Sequence, residues 1–289
     1  VEAHADSAER DRRLPPVTVA ALVERDLMRM CVPDAYGGPE VDPVTMVEAI
    51  AALSHADGAA GWCAMIASTT SSMAAFLPPE TAREIYGDAA TVTGGAFAPN
   101  GKGIASSRDG VDGFEVSGRW AWGSGTQHCQ WVLGGAMCDD STFRLCWFPQ
   151  SDIDYVDTWH TGGMRGSGSL DYCVDAAFAP ATRTIQPGVT APVVDSSLAR
   201  FPNFTLLAAS VSAVGLGVGR RALDELNDLA HAKSPQFSKR TLADSAYTQI
   251  EVARAEALLR SARAFLLDEL GSAWAIAVNS AGGRPSWPR

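Results

Sequence analysis

The chain has 289 residues, 46% of them apolar and 19% charged, with 27 Gly and 16 Pro. That composition suits a folded globular protein with a sizeable core and excludes a disordered, collagen-like or coiled-coil chain. A formal net charge of −10 and a pI near 4.9 argue against an electrostatic grip on nucleic acid or on an anionic membrane. No apolar run reaches the ~18 residues of a spanning helix, and the N-terminus lacks a signal-peptide pattern. The six cysteines are scattered, with neither a C-x-x-C nor zinc-finger spacing. Six buried free thiols, no metal site and a cytoplasmic location are the expectation.

In chain order, Pro15 and Pro16 precede an apolar period running from Val17 through Leu22, Leu27, Met28 and Met30, which predicts a helix. Tyr36-Gly37-Gly38-Pro39 breaks it. Asp42-Pro43 opens a second helix, Val44 to Ala56, with Asp42 at the N-cap, and Asp57-Gly58 ends it. Gly61 to Phe76 is small and apolar throughout and predicts a buried helix. A further helix starts at Pro78-Pro79-Glu80 and ends at Tyr86-Gly87.

The texture changes near Thr91, where Gly, Ser and aromatic residues take over. Phe114–Ser117, Trp131–Leu133, Phe143–Phe148 and Tyr172–Phe178 read as strands, separated by turn signals such as Asp109-Gly110 and Asp112-Gly113. Strands so spaced predict an antiparallel barrel or sandwich. Helical periodicity returns over Phe204–Ala232 and Thr241–Val278. The fold class is therefore α+β, with a helical segment at 1–89, a β segment at 90–190 and a second helical segment at 191–289.

Gly215-Leu216-Gly217-Val218-Gly219 looks like a nucleotide-binding glycine motif, but no strand precedes it. Close approach of two helices explains it better. The denser chemistry lies among the strands. Gly118 to Gly125 holds Trp120, Trp122 and Ser124, and Trp159 to Ser169 repeats that vocabulary with Ser167 and Ser169. Tryptophan offers a flat face and serine a hydrogen-bonding hydroxyl, which suits a flat heteroaromatic ligand. Barrel corners with packed aromatics would use the same residues, and spacing alone does not separate the two readings.

The order of helices, strands and helices, with Pro33-Asp34-Ala35-Tyr36-Gly37-Gly38 near the start, resembles the acyl-CoA dehydrogenase superfamily over essentially the whole chain. Gly118 to Trp131 resembles the family's Gly-x-Lys-x-Trp-Ile-Thr-Asn segment. Trp122 falls on its tryptophan and Ser124 on the hydroxyl beside the flavin N5. Arg165-Gly166-Ser167, followed by Ala177-Phe178-Ala179-Pro180, resembles the family's Arg-Gly-Ser and its closing Val-x-Val-Pro strand. Departures point to one branch. Phe97 to Gly103 stands where dehydrogenases carry Thr-Glu-Pro-Gly-Ala-Gly-Ser-Asp, and Ser234 stands where they carry an arginine for the FAD pyrophosphate. With Asp57-Gly58-Ala59-Ala60-Gly61-Trp62 and Asp157-Thr158-Trp159-His160, these features resemble the two-component flavin monooxygenases. That branch includes phenol, secosteroid and dibenzothiophene hydroxylases.

The resemblance implies an enzyme that uses reduced FMN or FAD and O2 to hydroxylate an aromatic or polycyclic small molecule. It further implies a separate flavin reductase and a homo-oligomer, dimer or tetramer. Ser124 would hold the flavin N5, with Asn100, Trp122, Trp159, Ser167 and Ser169 walling and tethering the ring. His128 is a second catalytic candidate, a structural hydrogen bond being its competing role. Trp62, Phe76 and Phe97 are candidates for the substrate pocket. An acyl-CoA dehydrogenase using FAD, and a scaffold that has kept the fold and lost catalysis, are the alternatives. The family's C-terminal bundle has four helices and this chain offers two, so that region is expected to be truncated, with an apolar stripe uncovered.

Overall fold

The computed structural model describes residues 1–280. Five helices come first: α1 (Ala5–Asp11), α2 (Pro16–Glu24), α3 (Pro43–Ala56), α4 (Gly58–Ser71) and α5 (Pro79–Tyr86). The helix expected to run on to Met30 stops at Glu24, because the chain turns left-handed at Asp26 (φ 57°). Met28 and Met30 are still buried, but from irregular backbone. Asp42 caps α3 as expected, accepting from the Val44 and Thr45 amides at 2.9 and 3.0 Å. Asp57 then ends α3 and caps α4, so α4 starts at Gly58 rather than Gly61, and a 3₁₀ turn over Ser72–Phe76 finishes it.

Seven strands form one sheet: β1 (Thr93–Arg108), β2 (Val111–Gly123), β3 (Trp131–Cys138), β4 (Phe143–Pro149), β5 (Asp154–Val156), β6 (Leu170–Pro180) and β7 (Thr184–Ile185), in the order β5-β6-β2-β1-β3-β4-β7. The sheet departs from the all-antiparallel expectation at one pairing, since β1 and β3 run parallel. β1 and β2 form a long hairpin, and the chain crosses back through residues 124–130 to lay β3 along the free edge of β1 in the same direction.

Trp120 is the centre of the β core. Fully buried, it stacks on Tyr172 across the β2–β6 pair, with ring centroids 5.2 Å apart and planes 14° from parallel. Its indole N–H donates to the carbonyls of Ala98 (3.1 Å) and Gly135 (2.9 Å). The ring fits because the strands around it carry glycine. A Cβ on Gly134 would stand 2.7 Å from the Trp120 ring, and one on Gly118 also 2.7 Å.

Three helices follow: α6 (Ser197–Arg200), α7 (Asn203–Ala232) and α8 (Ala246–Asn279). α7 packs on α3, α4 and α8, and Gly217 is the point of close approach. A Cβ there would stand 2.3 Å from the Ala51 carbonyl oxygen of α3. The glycine run thus serves helix packing, through Gly217; Gly215 faces open space. By length and composition α7 could cross a membrane, its 18-residue window averaging a mean hydropathy of 1.3. That corrects the expectation that no such run exists; the apolar residues are those turned towards α3 and α4 together with an exposed row. Phe204, Val211, Val218 and Leu226 on α7, and Ile250, Leu258 and Phe265 on α8, lie exposed. Of the six free thiols five are buried, and Cys173 is half-buried.

Gly134→Ala should overpack the Trp120 site and lower stability by about 1–3 kcal/mol. Urea unfolding followed by tryptophan fluorescence checks this, and an unchanged midpoint would contradict the packing described.

Candidate active site

One cavity of about 330 Å³ is lined by Trp62, Trp122, Ser124, Trp159, Met164, Ser167 and Ser169. Three separate parts of the chain build it. Trp62 comes from α4, Trp122 and Ser124 from the end of β2 and the turn after it, and the rest from the segment between β5 and β6.

Trp122 reaches the cavity through a fault in the sheet. The β2–β6 register shifts between Trp120/Tyr172 and Gly123/Leu170, so β2 carries one residue more than its partner there. Regular alternation would place Trp122 on the buried face with Trp120. Instead Trp122 adopts φ 62° and its side chain is 72% exposed. Asp171, opposite the bulge, accepts a hydrogen bond from the Trp122 amide. Its carboxylate also takes Arg119 Nη2 at 2.7 Å and Thr158 Oγ1 at 2.9 Å. Burial pushes that carboxyl up, and these bonds outweigh it, holding the group below the usual carboxylate range. Met164, at φ 56°, is a second cavity residue in the left-handed region. Backbone strain of this kind collects where a site needs a particular side chain in a particular place.

The segment bearing Trp159 is clamped from α1. Arg12, the left-handed cap of α1, donates to both Asp157 oxygens (2.6 and 2.8 Å) and to the Trp159 carbonyl (3.2 Å). One turn back, Glu9 Oε1 accepts from the Arg165 amide at 2.9 Å. The Trp159 indole N–H donates to the Met164 carbonyl at 3.2 Å.

Hydroxyls run along the cavity floor. Trp62 Nε1 donates to Ser124 Oγ at 2.8 Å; Ser124 Oγ lies 2.7 Å from Ser169 Oγ, and Ser169 Oγ 2.7 Å from Ser167 Oγ. Ser167 Oγ donates to the Met164 carbonyl at 2.8 Å. Behind the floor lies Cys63, its thiol pushed up to about 12 by burial and therefore protonated. The lining side chains are thus three indoles, three hydroxyls and a thioether. They can enclose a flat ring, stack on it and hydrogen-bond its edge.

Of the residues singled out from sequence, the structure brings Trp122, Ser124, Trp159, Ser167 and Ser169 together, with Trp62 beside them. Four do not line this cavity. Asn100 is exposed within β1, where that strand leaves the β3 register. Phe76 and Phe97 pack against the cluster that holds Leu77, Leu133 and Trp147; an apolar ring by itself does not distinguish core from pocket wall. His128 ends the 3₁₀ turn Thr126–His128 just past Ser124, half-buried and off the wall. Met164 lies inside the Trp159–Ser169 run, where methionine carries no polar signal of its own. Arg12 and Asp171 carry no local signal either, because their partners are remote in sequence, and Asp157 stands out only as part of Asp157–His160 and not as the partner of Arg12.

A family model described as acyl-CoA dehydrogenase, N-terminal domain, matches residues 1–84, and one described as acyl-CoA dehydrogenase, C-terminal domain, matches residues 209–285. An indole-3-acetate monooxygenase of Pseudomonas putida is 35% identical over 272 residues, covering 92% of this chain and 68% of its own. The flavin-dependent monooxygenase oxygenase subunit HsaA of Rhodococcus jostii is 27% identical over 288 residues, 95% of this chain and 74% of its own. Among solved structures, XiaF from Streptomyces sp. in complex with FADH2 and glycerol superposes with a TM-score of 0.89 at 25% identity, covering 99% of this chain and 74% of its own.

Burial, with a smaller push from Arg13, lowers the His128 pKa from 6.5 to about 4. The folded protein keeps this imidazole neutral while the unfolded chain takes up a proton near 6.5. Its contribution to stability is therefore full above that pH and is lost as pH falls towards about 4. In denaturant titrations across that window His128→Gln should flatten the pH dependence; an unaltered slope would contradict a neutral His128.

Proposed function

The chain belongs to the acyl-CoA dehydrogenase superfamily, in its flavin-dependent monooxygenase branch, and from that premise we propose that it hydroxylates an aromatic or polycyclic small molecule with reduced flavin and O2. The observation that carries this reading is the cavity: tryptophan faces around a row of serine hydroxyls. That donor set fits an isoalloxazine, which is flat, apolar on both faces and rich in nitrogen and oxygen along its edges.

In this reading Trp122 and Trp159 hold the flavin ring and Ser124 meets its edge, while Ser167 and Ser169 fix the Ser124 hydroxyl. Reduced flavin, when bound, would supply the two electrons that activate O2, one oxygen atom of which goes to the substrate and the other to water. The residues orient the ring and exclude water, so that activated oxygen reaches the substrate rather than escaping as hydrogen peroxide. Trp62, at the junction of the ring site and α4, faces the aromatic substrate. FMN and FAD both remain compatible with this wall, because the lining groups address the ring and not the phosphate end. A separate reductase supplies the reduced flavin in the cytoplasm. A second copy of the chain covers the exposed apolar row of α7 and α8 in a homo-oligomer, dimer or tetramer.

Reduced FMN or FAD in aerated buffer containing isotopically labelled O2 and a panel of indoles and phenols tests the assignment. One labelled oxygen atom should enter an aromatic product, and Ser124→Ala should raise hydrogen peroxide release per flavin consumed about threefold or more. Bleaching of bound oxidised FAD by an acyl-CoA, with no oxygenated product, would contradict it.

A further inference from the structure

The cavity wall carries one side chain that peroxide oxidises readily. The hydroxyls of Ser124, Ser167 and Ser169 are inert to peroxide, and the three indoles react with it slowly. The thioether of Met164 is a soft nucleophile that needs no deprotonation. The Cys63 thiol lies behind the floor, and burial pushes its pKa up to about 12, so its reactive thiolate is absent. Met164 is half-buried, and its Sδ stands against the first residue of α4. A Cβ on Gly58 would lie 2.9 Å from that sulfur and 3.0 Å from Val218 Cγ2 of α7.

The other six methionines form an internal control. Met28, Met30, Met46, Met65 and Met73 are at most 3% exposed and closed to an oxidant in solution. Met137, on β3, is 44% exposed and does not line the cavity. Peroxide arriving from solvent therefore reaches Met137 first, whereas peroxide made inside the cavity meets Met164 first. The two sources of oxidant give opposite orders of attack.

We propose that Met164 is a modification site: when no aromatic substrate is present, hydrogen peroxide made in the cavity oxidises its thioether to the sulfoxide, which weakens flavin binding and turns the site off. The proposal rests on the flavin reading above and adds a self-limiting step to it. Hydrogen peroxide is the two-electron, two-proton product of O2 with the reduced ring when no substrate takes the oxygen. A lone pair of Met164 Sδ attacks one peroxide oxygen. The S–O bond forms as the O–O bond breaks; sulfur loses two electrons, and the second oxygen leaves as water with both protons. The new oxygen is polar and needs room where the sulfur now packs against Gly58 and a Val218 methyl. The side chain is therefore driven towards the cavity, whose volume of about 330 Å³ leaves little to spare. Methionine sulfoxide is reduced back by dedicated reductases, so the block is reversible.

Reduced FMN in aerated buffer with labelled O2 and catalase, and without aromatic substrate, followed by trypsin digestion and mass spectrometry, tests this. Cleavage after Arg119, Arg144 and Arg165 puts Met137 and Met164 on separate peptides, 120–144 and 145–165. A labelled oxygen should appear on Met164 at least about fivefold more often than on Met137, and a substrate that is hydroxylated should suppress it by about fivefold or more. Hydrogen peroxide added to the flavin-free protein should reverse the order, Met137 leading. Ultrafiltration should show the oxidised protein binding FMN about fivefold more weakly, with recovery after treatment with methionine sulfoxide reductases. Met164→Leu, its fold checked by circular dichroism and urea midpoint, should keep its own FMN affinity through the same exposure. Label on Met137 or on a tryptophan ahead of Met164, the same order with and without flavin, or unaltered FMN binding after oxidation would each overturn the proposal. In any of those cases the flavin assignment stands so long as the parallel reaction with substrate yields labelled product. Failure to bind flavin at all would overturn the assignment, and the proposal with it.

Discussion

Everything in the candidate site hangs on one hydrogen-bond chain, from the Trp62 indole through Ser124, Ser169 and Ser167 to the Met164 carbonyl. It ties α4, the end of β2 and the segment before β6 into one wall. Each link also restrains an aromatic face, since Trp62 donates into one end and Trp159 into the carbonyl at the other. The hydroxyls of Ser124, Ser167 and Ser169 are buried, so an unmet bond in the chain would be expensive and the arrangement has little freedom to rearrange.

The rest of the fold holds that wall in register. The Trp120–Tyr172 stack fixes β2 against β6. Immediately beyond it the bulge turns Trp122 out of the core, and Asp171 secures the displaced strand. On the other side of the cavity, Arg12 and Glu9 of α1 bind the segment that carries Trp159, Met164 and the two serines. The site is thus built at the end of an interior strand and clamped by a helix of seven residues. A rigid surround of this kind holds the lining rings and hydroxyls in one geometry for a ligand.

Much of this was legible in the residues. The helix–strand–helix order, the Asp42 cap and the gathering of Trp122, Ser124, Trp159, Ser167 and Ser169 all follow from local pattern together with the family resemblance. Three kinds of feature did not. The parallel β1–β3 pairing depends on where a crossover lands, which no strand sequence encodes. Exposure of Trp122 depends on an extra residue in the ladder; alternation alone pairs it with Trp120 in the core. Asn100, Phe76 and Phe97 carried the right side chains for a pocket and sit elsewhere, because residue type gives chemistry without direction. His128 is near the site in sequence, yet burial rather than catalysis accounts for its lowered pKa.

A crystal structure of the protein soaked anaerobically with reduced FMN tests the central claim most directly. The isoalloxazine should occupy the cavity between Trp122 and Trp159, with its edge on the Ser124 hydroxyl. Flavin density elsewhere, for instance in the groove that Arg220, Arg260 and Arg263 line between α3, α7 and α8, with the serine wall untouched, would contradict it.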